Sequence, residues 1–239
     1  MASDPLLEHI RDTYSRLRRG MAVIAFLLPL VLWFVGRLWF DTALQPSMSA
    51  YYHATDDLRD IFVGVLFAVG TFLFLYKGES AREDWLLNVA GISALCIAYF
   101  EMEKDSDCSA TGPGITAHGF FAVVFFVAIA WVCISVALRT QKPAYCRYVS
   151  RHALWYNACA AVMIVSILVG LTYTFLLPAP ARLALCERSI IFWVEAFSVW
   201  AFSVFWILRT VELDAHVSWW PWPRKSKDHR RTGEGEREV

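Results

Sequence analysis

Residues 117–138, AHGFFAVVFFVAIAWVCISVAL, run without a single Lys, Arg, Asp or Glu. About 20 predominantly apolar residues are what an α-helix needs to cross the hydrocarbon core of a bilayer, so this stretch reads as a membrane span. Working outward from it, five further stretches qualify: 21–40, 59–76, 85–101, 153–177 and 188–208. The composition agrees, with 57% apolar residues, a mean hydropathy of +0.44 and 11 Trp in 239 residues, which places the chain in the membrane class. The expected fold is all-α, an integral membrane bundle of six transmembrane helices over residues 21–210. A cytoplasmic N-terminal segment, 1–20, precedes it, and an interfacial, disordered basic tail, 211–239, follows. The first stretch follows Arg16, Arg18 and Arg19 as a signal peptide would, but it is too long for one, carries Trp33, Arg37 and Trp39, and lacks a small-residue cleavage site.

Net charge is zero, so nothing points to a nucleic-acid partner, and the informative feature is where the charges sit. With six spans and both termini on one side, the terminal segments and the loops on their side carry 17 Lys and Arg against 4 in the opposite loops. That bias puts the termini in the cytoplasm. The opposite, outer side is acidic, with Asp41, Asp56, Asp57, Asp60, Glu101 and Glu103 among its residues. Trp219, Trp220 and Trp222 followed by Arg224, Lys225 and Lys227 read as a headgroup-level anchor beside anionic lipid.

The outer loop Ser47-Met-Ser49-Ala-Tyr51-Tyr52-His53 is polar and aromatic-rich. Ser49 and His53 are four apart, so a helical loop would put them on one face, within hydrogen-bonding reach. Glu101, at the end of the third span, and His118, at the start of the fourth, share the depth of the outer boundary. His53 and His118 with Asp60 and Glu101 make a His/carboxylate set of the kind that binds zinc. Such a set would activate water, with Ser49 hydrogen-bonding the water or the substrate. The competing reading is that each of these residues merely caps or flanks a helix at the wet interface.

Two charges lie inside spans, Arg37 in the first and Glu195 about two turns into the last. Intramembrane ionisable residues face the bundle interior and are functional-site hypotheses by default; an Arg37–Glu195 pair is the expected partnership. Gly64 and Gly70, with Ala68, are expected to let the second helix approach a neighbour closely, Pro29 to kink the first helix, and Pro178 and Pro180 to end the fifth.

The motifs Ser47-x-Ser49-x-Tyr51-Tyr52-His53, Arg59-Asp60-x-Phe62-Val63-Gly64, Tyr76-x-Gly78, Asp84-Trp85, Ala90-Gly91 and His118 together resemble an uncharacterised family of bacterial six-helix membrane proteins. That family is itself similar to the DRAM and PGAP2-type eukaryotic membrane proteins. The resemblance covers residues 20–210 loosely, implies six helices in a bacterial plasma membrane, and supplies no activity. Ser49-x-x-x-His53 is also similar to the serine and histidine motif of the alkaline ceramidase and adiponectin-receptor superfamily of seven-helix zinc amidohydrolases. The late His-x-x-x-His of those proteins has no counterpart here, so only Ser49 and His53 carry over.

Three functional classes follow: a non-enzymatic protein binding a lipid or a partner at the outer face, a metal-dependent lipid hydrolase using Ser49, His53, Asp60, Glu101 and His118, and a small-solute or proton transporter using Glu195. The first demands least of the sequence. The sequence shows neither discontinuous helices nor an inverted repeat, which disfavours the third.

Of six Cys, topology puts Cys96, Cys133 and Cys159 in spans, Cys146 inside, and Cys108 and Cys186 outside. The last two share an oxidising side; a bond between them would tie the loop after the third span to the segment before the last, the alternative being two free thiols. Peptide mapping of thiol-blocked protein without reductant decides between the two: a linked Cys108–Cys186 peptide establishes the bond, and alkylation at both positions excludes it.

Overall fold

The computed structural model describes residues 5–102, 115–140 and 150–219. Among these the chain is all-helical: α1 Pro5–Trp39, a 3₁₀ turn Ser49–His53, α2 Asp56–Leu75, α3 Ala81–Tyr99, α4 Ala117–Thr140, α5 Ser150–Phe175, α6 Ala179–Glu187 and α7 Ile190–Trp219. Five of them, α1, α2, α4, α5 and α7, are long and apolar enough to cross a membrane. The remaining long helix, α3, carries Arg82, Glu83 and Asp84 in its first turn, which takes it outside that set. Cys108 and the chain beyond 219, on which the outer disulfide and the basic tail depend, lie outside the described residues; Cys186 is disulfide-bonded, while Cys96, Cys133 and Cys159 are free.

The long helices form a closed ring in chain order: α1 on α2, α2 on α3, α3 on α4, α4 on α5, α5 on α7, and α7 back on α1. Arg19 in α1 bonds Asp214 in α7 at 2.6 Å, so the chain starts and finishes at one end of the ring, here the terminal end. The segment from Phe40 to Ala54 closes the other, here the loop end. The spans are longer than their apolar stretches, because α1 begins at Pro5 and α7 continues to Trp219. Pro29 sits within a continuous α1. Pro178 does not simply stop α5: it is the N-cap of α6, with Pro180 in the first turn, where a missing N–H and a fixed φ suit helix initiation.

Ring closure requires close backbone approach at one seam. A Cβ on Gly70 would stand 2.9 Å from the Gly91 carbonyl oxygen, and one on Gly91 would stand 2.7 Å from that of Gly70. The two glycines therefore set the α2–α3 spacing; Gly64, expected to share this role, faces open space.

The terminal end is held by buried charge. Arg209 is 4% exposed and Glu83 and Glu212 are 3% exposed. Arg209 meets Glu79 at 2.5 Å and Glu212 at 2.8 Å, Arg139 pairs with Glu79 at 3.3 Å and with Glu83, and the Tyr156 hydroxyl donates to Glu212 at 2.5 Å. Arg18 and Arg19 in α1 both approach Asp214. The network spans α1, the α2–α3 turn, α3, α4, α5 and α7, and Arg18 and Arg209, which read from sequence as charges of the terminal segments, are buried.

The glycine seam gives a paired expectation for thermal unfolding in detergent. Gly91→Ala forces the helices apart and destabilises by about 1–3 kcal/mol, the usual range for overpacking. Gly64→Ala meets nothing and gains helix propensity, stabilising by up to about 1 kcal/mol. Equal effects of the two changes would contradict the seam.

Candidate functional site: a chamber beneath the first loop

The loop end is assembled by main-chain groups that a helix start leaves unsatisfied. The first N–H groups of α7 have no partner within the helix, and the Phe192 N–H donates to the Pro46 carbonyl at 2.9 Å. The Ser189 hydroxyl donates to the Leu44 carbonyl at 3.3 Å. In return, the Met48 N–H donates to Glu195 Oε2 at 2.6 Å. Asp41, at φ 46°, turns the chain out of α1 in the left-handed region that Asp tolerates. Tyr51, fully buried, anchors the 3₁₀ turn against Phe192 at a ring separation of 6.0 Å, and Gly36 gives its ring room, since a Cβ there would stand 3.2 Å from it.

Beneath this loop is a cavity of about 90 Å³ whose polar lining residues are Ser49, His118 and Glu195. The rest of the wall is apolar, contributed by α1, α2, α3, α4 and α7, with Phe62, Phe125, Phe126 and Phe202 prominent. Glu195 is half-buried and lines the cavity. His118 is stacked on Phe62 at 6.5 Å, its Nδ1 3.0 Å from the Phe100 carbonyl oxygen. A carbonyl only accepts, so Nδ1 donates.

The predicted residues divide accordingly. Ser49, His118 and Glu195 come together at one chamber; His53, Asp60, Glu101 and Arg37 stay outside it. Ser49 is buried, 3.1 Å from the Ser47 hydroxyl and 2.9 Å from the Met102 sulfur, to which it donates. His53 is exposed with Nε2 2.6 Å from the Met102 carbonyl oxygen. The two are not bonded to each other, because three residues per turn in a 3₁₀ helix align positions i and i+3, not i and i+4.

Asp60 lies in the second turn of α2, 3.5 Å from Arg59. Glu101 accepts from the Tyr52 hydroxyl at 2.9 Å; burial first, and then this carboxylate, push the Tyr52 phenol above its ordinary pKa. No three His, Cys, Asp or Glu side chains are grouped as metal ligands among the described residues, so the expected zinc set is not assembled. Its members each hold a different partner around the C-terminal end of α3.

The expected Arg37–Glu195 pair is likewise replaced. Arg37 is exposed and bonds Asp41 at 2.6 Å, a partner one helical turn away at the end of α1, while Glu195 is satisfied by a backbone N–H. Sequence reading missed Met102, whose sulfur and carbonyl draw together both ends of the 3₁₀ turn, and it missed the terminal-end network. One local signal for the latter existed, the i,i+3 spacing of Arg209 and Glu212.

Elemental analysis of detergent-purified protein is expected to give the same zinc content for wild type, His53→Ala and His118→Ala. Stoichiometric zinc lost in both variants would restore the metal centre. Thermal unfolding should separate the two histidines. Loss of the buried, hydrogen-bonded His118 costs about 1–3 kcal/mol, whereas loss of the exposed His53 stays within about 0.5 kcal/mol. Compared with protein families, with characterised proteins and with solved structures, the chain matches none.

Proposed function

We propose that the protein is a six-span membrane protein, with both termini in the cytoplasm of a bacterial cell, that binds lipid in a groove opening at its outer, loop end. The observation that carries this reading is a continuous apolar groove on the α5–α7 side of the ring. Its upper part, about 320 Å³, lies between Thr172, Tyr173 and Leu177 of α5, Leu185 of α6 and Ile190 of α7. Its lower part, about 380 Å³, continues along Val162 and Ser166 of α5 and Val194 and Phe197 of α7. Val165 and Val169 line both. The groove thus runs from the loop end toward the middle of the bundle, narrow and apolar as an acyl chain requires, with the hydroxyls of Thr172 and Tyr173 at the upper part.

Parity supports six crossings. α3 runs from the terminal end, where Glu83 pairs with Arg139, to the loop end, where Met102 just beyond it meets Ser49. At 19 residues and 1.5 Å per residue it is about 28 Å long, close to the hydrocarbon thickness. Its three charges sit at the terminal end, where α1, α4 and α7 also carry charge. The 17-to-4 bias in basic residues supports a cytoplasmic terminal end.

A photoreactive acyl phospholipid incorporated into nanodiscs with the full chain tests the groove. Crosslinks are expected on the facing surfaces of α5 and α7, and Val169→Trp, which fills the shared middle, should lower them about tenfold, the effect of losing roughly 1.4 kcal/mol of contact. Labelling spread evenly over the exposed faces of α2, α4 and α5 and unchanged by Val169→Trp would mean ordinary boundary lipid and overturn the proposal.

A further inference from the structure

The chamber beneath the first loop is separate from the groove. The groove meets Ile190, Val194 and Phe197 of α7, while the chamber meets Glu195, Val199 and Phe202, which at 100° per residue is a different face of the helix. We propose that this chamber is a binding site for a small organic ammonium group, with Glu195 as its counter-charge and the surrounding phenylalanines receiving its alkyl surface.

Four observations converge on that chemistry. The first is charge. Among the described residues no Lys or Arg lines the chamber, and two arginines of the loop end hold other partners, Arg37 on Asp41 and Arg59 on Asp56 and Asp60. Among the described residues Glu195 therefore has one backbone N–H and no cation, although carboxylates inside a helix bundle are ordinarily paired.

The second is room. A single water needs about 10–15 Å³ of such space, and the chamber offers about 90 Å³, enough for a group the size of tetramethylammonium.

The third is what the walls lack. Waters filling the space would each need two to four polar partners, and the described wall offers three polar side chains, of which Ser49 and His118 already spend a donor on Met102 and Phe100. A bare metal cation fails on the same count, since calcium or magnesium takes about six or more oxygen ligands.

The fourth is what the walls supply. Phe62, Phe125, Phe126 and Phe202 line the chamber, and aromatic side chains around one carboxylate are the surroundings in which a weakly hydrated organic cation is bound, through cation–π attraction. An ammonium group needs few oxygen donors, accepts apolar contact, and completes the charge balance.

The ammonium group is common to free solutes such as choline and to the headgroups of phosphatidylcholine and phosphatidylethanolamine. The experiment separates these sources. The full chain is placed in phosphatidylglycerol nanodiscs, which contain no ammonium lipid, and titrated calorimetrically with tetramethylammonium chloride, choline chloride and the neutral choline isostere 3,3-dimethylbutan-1-ol. The two cations are expected to bind and the neutral isostere to bind at least about tenfold more weakly, as loss of the charge component requires.

Glu195→Gln preserves shape and the acceptor for Met48, and should weaken the cations at least about tenfold; Phe125→Leu, which leaves the charge, should weaken them several-fold. Repetition in phosphatidylcholine discs distinguishes the sources: displacement of tetramethylammonium assigns the site to a lipid headgroup, and unchanged binding assigns it to a free solute. Absence of cation binding to the wild type, equal binding of the neutral isostere, or undiminished binding by a Glu195→Gln protein of unchanged size-exclusion profile would each overturn the proposal. The outcome is independent of the acyl groove, which the crosslinking experiment reads on another face.

Discussion

The Arg209 guanidinium, 4% exposed between Glu79 and Glu212, is the contact on which the ring depends. A charge in a lipid-crossing bundle survives only if it is paired and hydrogen-bonded, because desolvation otherwise exceeds what the fold can supply. Satisfying Arg209 requires the α2–α3 turn for Glu79 and α7's own next turn for Glu212. Glu212 in turn takes the Tyr156 hydroxyl from α5, and Glu79 takes Arg139 from α4. One buried cation thus fixes the relative positions of three helices and a turn. The register of the ring at its terminal end is specified by directional polar contacts, which apolar packing alone would leave free to slide.

The loop end is closed by a different device. There the α7 start offers orphan N–H groups, and the first loop answers with the Pro46 carbonyl, while Glu195 receives the Met48 N–H. This exchange holds the 3₁₀ turn over the ring's axis, and Tyr51 and Phe192 pack the contact. The chamber is the space left between a lid set by backbone hydrogen bonds and helices whose spacing is set elsewhere, at the Gly70–Gly91 seam and in the charge network. Its position is therefore a consequence of how the two ends are built.

How much of this was readable in the sequence follows from which interactions carry the information. Apolar run length located five helices able to span, and the sixth run appears as a helix of fitting length whose charged first turn the run began just after, at residue 85. Helix ends were misplaced because polar first and last turns, such as 5–20 of α1, carry no hydropathy signal although their backbone hydrogen bonds continue. α6 was missed because Pro178 and Pro180 read as a stop, when a proline at a helix start is equally favourable. Ser49, His118 and Glu195 were legible as polar residues out of place in or near spans. Their grouping was not, and neither was the separation of His53, Asp60 and Glu101 from them, since both depend on the 3₁₀ geometry and on Met102, an unremarkable residue until its contacts are known. Glu195 was read as two turns deep; with α7 starting at Ile190 it lies five residues in, about 7.5 Å, near enough for a loop amide to reach.

The two ends of the ring treat carboxylates differently, and the difference has physical content. At the terminal end Glu79, Glu83, Glu212 and Asp214 each face at least one arginine. At the loop end Asp41, Asp56 and Asp60 do the same at the surface. Glu195, the carboxylate that lines the cavity, is bonded among the described residues to an amide alone. Were its role only to hold the loop, a neutral acceptor such as Gln would make the same contact with Met48 at a smaller desolvation cost, since burying a charge is far more expensive than burying an amide. A carboxyl side chain at that position, opening onto a space of about 90 Å³ walled by phenylalanines and, among the described residues, by no Lys or Arg, suits the proposed occupant, a group that enters from outside the fold and brings a positive charge.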